Sequence, residues 1–279
     1  MLVIKGTNMI TDGHNHTKHF SPDAGQTIEE LISEAVSKGF SRIGITEHYE
    51  LDYPEDGINW MFDIDEYIKG FPSWREKAGK NLDLLMGIEF GYQTQVAKEI
   101  DRIASSYPFD VVLLSNHLFR GKDFYVDREC YKLPKKELHK EYIGIMAEMC
   151  EKCSNYDVAA HYDYINRYSD NLDSFVLYED CPAEFDRMFE ALITKGKALE
   201  INTKSIWKHK ERCFRSTLPD PAILKRYKEM GGKLICFGSD SHFNGTFGVC
   251  FDEAVSYMKS QGFTESVYFK DRKPVFESL

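Results

Sequence analysis

The chain has 279 residues, 42% of them hydrophobic, a formal net charge of −10 and seven cysteines. That length suits one large α/β domain with a sizeable core. The acidic balance argues against a large nucleic-acid footprint, and an odd set of irregularly spaced cysteines argues against a secreted disulfide framework.

The elements follow in chain order. Met9-Ile10 leads into Asp12-Gly13-His14-Asn15-His16. In an extended segment residues i and i+2 face the same side, so His14 and His16 can aim two imidazoles at one point. Neutral imidazole is the commonest protein ligand for transition metals. A polar loop from His19 to Gln26 follows. Thr27-Ile28-Glu29-Glu30 then reads as a capping box opening a helix that Gly39 can end. Arg42 to Thr46 is a strand that terminates in Glu47-His48. A long acidic and aromatic insertion, Tyr49 to Lys80, carries a helical stretch from Asp63 to Lys69. Leu84 to Ile88 is a strand ending at Glu89, and Val96, Ile100 and Ile103 mark a helix. Val111 to Leu114 is a strand ending in Ser115-Asn116-His117.

A second long loop, Leu118 to Pro134, precedes a helix from Lys135 to Cys153. Its last turns hold Cys150-x-x-Cys153, read as helix-end packing in the absence of a second such pair. Asp157 to Ala160 runs into His161. Ala183 to Lys195 is helical, and Ala198 to Ile201 is a strand ending at Asn202-Thr203. Lys204 to Leu218 reads as a basic loop, and Pro219 to Met230 as a helix. Leu234 to Phe237 is a strand ending in Gly238-Ser239-Asp240-Ser241-His242. Phe251 to Ser260 is helical, and the tail from Ser266 adds an edge strand. No run approaches the roughly 18 apolar residues that span a bilayer. MLVIKGTNMI is too short for a signal region, so a cytoplasmic protein is expected.

Seven strand–helix repeats argue for a parallel sheet with crossover helices in a single domain, residues 1–279. The strands end, in order, at His14/His16, His48, Glu89, His117, His161, Asn202 and Asp240/His242. In a barrel those ends gather at one face, where active sites sit. The six histidines with Glu89 and Asp240 make eight N/O ligands, too many for one tetrahedral zinc. They suit two or three divalent ions sharing a carboxylate, an arrangement typical of phosphoryl hydrolysis. His and carboxylate ligation suits Zn, Mn or Fe alike.

Asp12-Gly-His-Asn-His16, Thr46-Glu-His48, Gly87-Ile-Glu-Phe-Gly91, Ser115-Asn-His117, Ala160-His-Tyr-Asp163, Glu200-Ile-Asn-Thr203 and Gly238-Ser-Asp-Ser-His242 together resemble, in order, the motifs of the PHP (polymerase and histidinol phosphatase) superfamily. The Gly-Ile-Glu-Phe-Gly and Glu-Ile-Asn-Thr motifs and the long insertion are similar to its histidinol-phosphate phosphatase branch. The resemblance implies a distorted (β/α)7 barrel with a trinuclear metal centre at the C-terminal ends of the strands. One ion would be held by His14, His16, Glu89 and Asp240. A second would share Glu89 and add His117 and His161. A third would use His48, His242 and a ligand from the loop after the HxH. The family places a His or Asp about six residues beyond the second histidine; here that position is Pro22, and His19 and Asp23 are the alternatives.

The implied activity is hydrolysis of a phosphomonoester, L-histidinol phosphate, by a metal-bridging hydroxide. Glu89, Asp240 and His242 are the expected catalytic groups. A guanidinium matches phosphate oxygens in a bidentate fork, which assigns Arg167 to the phosphate. Lys204, Lys208 and Arg215 stand in for a family arginine where this chain has Trp207. Glu47, Glu50, Asp52 and Asp163 are the carboxylates that could meet a substrate ammonium. Asp52 and Glu50 are read rather as surface or supporting carboxylates, and Glu47 and Asp163 as orienting a histidine. His139 is expected on a helix surface, and His209 on a solvated face. The aromatics of the insertions read as a satellite core beneath the loops. A phosphodiesterase or nucleotidase of the same superfamily, and a non-catalytic metal-binding module, are the competing readings.

Overall fold

The computed structural model describes residues 10–54, 57–169, 175–210 and 218–279. A parallel sheet runs β1 (Arg42–Glu50), β2 (Asp83–Gly91), β3 (Val111–Ser115), β6 (Val158–Ala159), β7 (Ala198–Asn202) and β8 (Ile235–Gly238) in spatial order. Its two edges are joined by the segment before the first helix: Asp12 bridges in parallel to both Ile43 of β1 and Phe237 of β8, and Asn15 bridges to Ser241. The sheet therefore curls into a distorted barrel whose closing strand is a set of isolated bridges rather than a regular ladder. Side chains interrupt that ladder. Asp12 Oδ1 accepts from the backbone of Ser239 and His14, and Asn15 Nδ2 donates to the carbonyl of Gly44. Such local bonds compete with strand pairing.

Helices cover the outside of the sheet. Thr27 and Glu30 form the expected reciprocal capping box on α1 (Ile28–Ser37). α2 (Ile64–Ala78) starts on the Asp63 cap as read but runs on well past Lys69. Tyr67, Phe71 and Ala78 continue its buried face at helical spacing. α3 (Ala97–Ser106), α4 (Lys135–Lys152), α5 (Pro182–Lys195), α7 (Pro221–Glu229) and α8 (Phe251–Ser260) follow the sequence pattern. The basic stretch after Asn202 begins as α6 (Thr203–Lys210) rather than as a loop.

The tail departs from expectation. β9 (Glu265–Lys270) and β10 (Lys273–Ser278) pair antiparallel with each other and do not join the parallel sheet. Val267 and Phe269 of β9 pack on Val111, Leu113, Val158, Ala198 and Cys236, closing the end of the barrel away from the strand termini. β4 (Leu118–Phe119) and β5 (Lys122–Asp123) form a second short hairpin at the rim.

His139 is buried, not on the helix surface, because α4 packs against α5 and the turn before it; its Nδ1 lies 3.3 Å from Asp180. Cys150 and Cys153 are buried free thiols, and burial pushes both up to about 12, which suits packing rather than chemistry. Among the described residues no helix is long and apolar enough to cross a membrane.

Candidate metal centre

The seven strand ends converge as the sequence pattern requires. Glu89, on β2, lies at the middle, fully buried. Its Oε2 faces His14 Nε2 at 3.3 Å, His16 Nε2 at 3.4 Å and His48 Nδ1 at 2.8 Å. Its Oε1 faces His161 Nε2 at 2.8 Å and His117 Nε2 at 3.4 Å, and also accepts from Ser115 Oγ. Asp240 Oδ1 comes within 3.4 Å of His16 Nε2 and 4.0 Å of His14 Nε2. Farther out, His242 Nε2 lies 3.3 Å from His48 Nε2 and 2.9 Å from Asp23 Oδ2. Close approach has backbone requirements. His161 and Asp240 adopt φ of 24° and 49°, in the sparsely populated left-handed region found at functional sites. A Cβ on Gly238 would lie 2.4 Å from the His14 Cβ and 2.3 Å from Glu200 Oε1, so only glycine lets these groups meet there.

Two of the histidines, His14 and His117, are aimed by a carboxylate at the other nitrogen. His14 Nδ1–H donates to Glu200 Oε1 at 2.7 Å, and His117 Nδ1–H donates to Glu50 Oε1 at 2.6 Å. These bonds fix the tautomer and leave the Nε2 lone pairs facing Glu89, the arrangement that metal-ligating histidines use. Glu200 Oε2 in turn accepts from the His161 backbone and from Asn202 Nδ2. Neither glutamate stood among the expected ligands. The signal was present for Glu200: it precedes the strand-end Asn202 by two residues and so shares its inward face.

His14 Nε2, His16 Nε2, His48 Nδ1 and Glu89 Oε2 are buried without a hydrogen-bond partner. Buried polar atoms of this kind are costly unless something satisfies them. Overlapping sets, His14–Glu89–His161, His14–His16–Asp240, His16–His48–His242 and His48–Glu50–His117, bring donor atoms within 4.8 Å of one another. The donor chemistry, imidazole with carboxylate and no thiolate, fits divalent ions. Burial alone would raise the Glu89 carboxyl, but His14, His48 and His117 hold it well below the usual range. Asp240 is likewise held low against burial, by Lys204 and Arg167.

Several expectations need correction. His19 is exposed and its ring lies against Phe20, whereas Asp23 reaches His242 and His48. The reason is the turn at 18–20: Phe20 anchors it by packing among Phe62, Tyr67 and Trp74, leaving His19 outward. Glu47 does not face a substrate. It is fully buried, and accepts from Thr17 N at 2.9 Å, Thr17 Oγ1 at 2.5 Å and Ser21 Oγ at 2.5 Å. Burial pushes its carboxyl up to about 7 despite those bonds. It acts on the loop through Ser21, whose Oγ also accepts from the His48 backbone. Asp163 reaches Arg167 through Ser205 rather than orienting a histidine. Of the two carboxylates read as surface or supporting, Glu50 is the supporting one, a buried partner of His117, while Asp52 is exposed and accepts from Gln95. Arg215 lies outside the described residues, as does the side chain of His209.

A partly open cavity of about 70 Å³ lies beside the cluster. Arg167 lines it, buried, with Nη1 2.5 Å from Asp240 Oδ2 and Nη2 without a hydrogen-bond partner. Lys204 Nζ lies 3.2 Å from Asp240 Oδ1 and 3.0 Å from His242 Nδ1. Lys208, whose ammonium burial and the neighbouring Arg167 push down to about 8, sits 4.0 Å over the Tyr168 ring. The insertion aromatics divide. Phe62 and Trp74 join the core around Tyr67, and Phe124 is fully buried, but Tyr53 and Trp60 line the cavity.

Comparison with known proteins gives a consistent picture. The family model described as PHP domain matches residues 12–204. A "Probable histidinol-phosphatase" of Clostridium acetobutylicum is 35% identical over 95% of this chain and 98% of its own. A histidinol-phosphatase of Lactococcus lactis is 28% identical over 94% of this chain and 95% of its own. The crystal structure of histidinol phosphate phosphatase from Lactococcus lactis, complexed with Zn, L-histidinol and phosphate, superposes with a TM-score of 0.84, covering 95% of this chain and 98% of that one at 28% identity.

Proposed function

The chain belongs to the PHP domain family, and on that premise we propose that it is a metal-dependent phosphomonoesterase that converts L-histidinol phosphate to L-histidinol and phosphate. The observation that carries the reading is the ring of unpartnered donor atoms around Glu89, beside a cavity that also presents Arg167 and Lys204. Residues 1–279 are read as one catalytic domain of a cytoplasmic enzyme of histidine biosynthesis.

We assign His14, His16, Glu89 and Asp240 to one ion, Glu89, His117 and His161 to a second, and His48, His242 and Asp23 to a third. Zn, Mn and Fe all suit this donor set. Divalent ions held there supply a water whose pKa falls to roughly 7 and neutralise phosphoryl charge. The protein's own contribution is positioning. Arg167 Nη2, held by Ser205 and Asp240 through the other guanidinium nitrogens, is directed to a phosphoryl oxygen. Lys204 contributes a second positive charge. The leaving alkoxide requires a proton, and its delivery falls to the Lys204 ammonium, which Asp240 Oδ1 and His242 Nδ1 hold in place. No protein nucleophile is needed.

The test is a Glu89→Gln protein assayed for metal content and for turnover of L-histidinol phosphate, a dinucleotide and a 3′,5′-bisphosphate. Loss of metal and of histidinol-phosphate turnover together is expected. Near-normal turnover by a well-folded variant, or a wild-type preference for the dinucleotide or bisphosphate, overturns the reading.

A further inference from the structure

The cavity holds one carboxylate that the metal cluster does not use. Asp23, Glu50 and Asp240 are bound up with histidines, but Asp123, on β5, stands apart from them. Its Oδ2 accepts from Tyr53 Oη and its Oδ1 from the Tyr125 backbone at 2.5 Å. Among the described residues it has no cationic partner, although it lines a partly enclosed cavity. A line of rings connects it with the cluster. The Trp60 ring lies 6.0 Å from His48, and Tyr53 lies 5.2 Å from Trp60 before bonding to Asp123. The facing wall is also aromatic, with Tyr164 5.2 Å from His117 and 5.3 Å from Tyr168.

This polarity matches a substrate with a phosphate at one end and a nitrogen cation at the other. Arg167 and Lys204 serve the anion. A carboxylate with an uncommitted charge, at the end of two aromatic walls, suits an N–H cation, since aromatic faces also attract cations.

We propose that Asp123, positioned by Tyr53, is the specificity-determining residue that receives the substrate's cationic nitrogen. The proposal rests on the phosphomonoesterase reading and deepens it: the enzyme selects amine-bearing phosphomonoesters through the β4–β5 hairpin. A site built to bond a polar group discriminates strongly against analogues that lack it.

The test compares the metal-loaded full chain with its Asp123→Asn variant, which retains an acceptor for Tyr53 but not the charge. The substrates are L-histidinol phosphate, 2-aminoethyl phosphate, 2-(imidazol-4-yl)ethyl phosphate and phenyl phosphate. The expected result is a fall in kcat/KM for histidinol phosphate of about tenfold or more relative to phenyl phosphate, the size of a lost charge-assisted contact. A fall shared by 2-aminoethyl phosphate assigns the ammonium to Asp123; one shared by the imidazolylethyl ester assigns the imidazole. Calorimetry provides a second readout: the affinity for L-histidinol should drop about tenfold more than that for inorganic phosphate. Equal losses across all four esters, with equal losses of L-histidinol and phosphate binding, overturn the proposal and leave Asp123 as a support for Tyr53. Failure of the wild-type protein to hydrolyse histidinol phosphate instead overturns the reading beneath it.

Discussion

His14 Nδ1 donates to Glu200 Oε1 at 2.7 Å, and this one bond determines which nitrogen of His14 faces Glu89. Both side chains are buried. Glu200 also accepts from the His161 backbone, so it braces two histidines from different strands.

Replacing Glu200 by Gln should therefore weaken metal binding without removing a proposed ligand. Loss of such a partner typically costs 10–100-fold in metal affinity. Competition with a chromophoric chelator measures it, and an affinity within twofold of wild type would show that His14 is oriented by packing alone.

Asp23 and His19 make a paired test of the loop after the HxH. Asp23→Ala removes the carboxylate 2.9 Å from His242 and should lower metal content and kcat. His19→Ala, at an exposed position, should leave both near wild type. The reverse ranking, by metal analysis and initial rates, would return the loop position to His19.

Gly91→Ala tests the support behind His117. The added Cβ would fall 1.6 Å from Glu50 Oε2, so the Glu50 carboxylate must leave its bond to His117. We expect activity to fall at least tenfold while circular dichroism shows a folded protein. Full activity would mean that His117 keeps its orientation without Glu50.

Stripping divalent ions should lower Tm. Ligands that bind only the folded state stabilise it by mass action, about 2.7 kcal/mol at a hundredfold excess over Kd. Thermal scans with and without chelator, followed by readdition of Zn, Mn or Fe, check this; an unchanged Tm would count against tightly held ions.

Much of the site could be read from the chain because barrel strands deliver their ends to one face. The HxH, Glu89, His117, His161 and the Asp240/His242 pair each followed a short apolar run, and they gather in one cluster of overlapping contacts. The two-residue period also accounts for His14 and His16, whose rings lie 5.0 Å apart, whereas Asp240 and His242 follow the end of β8 with Asp240 in the left-handed region. What escaped was contact between residues that share no local pattern. Glu50 could be read only as a surface or supporting carboxylate, because its neighbours Tyr49 and Leu51 belong to an insertion; the parallel register of β1 with β2 decides for the supporting role by setting it opposite Gly91 and next to His117. Glu47, read as able to meet a substrate ammonium or to orient a histidine, is turned to Thr17 and Ser21, and Ser21 Oγ in turn lies 3.4 Å from His16 Nδ1.

The amino-acid order by itself determined the class of fold, the set of imidazole and carboxylate donors, and their order around the barrel. Those depend on local periodicity and on where each strand stops. Tertiary structure decided which atoms meet. It turned Asp23 toward His242 and His48 and His19 away from them through the anchoring of Phe20, and made Glu200 and Glu50 the partners that aim His14 and His117. It also folded the tail into a plug beneath the barrel and left Asp123 facing the cavity with no cationic partner among the described residues. Each of these outcomes depends on packing between segments distant in the chain, where the energy of burying an aromatic ring or pairing a buried charge outweighs any local preference.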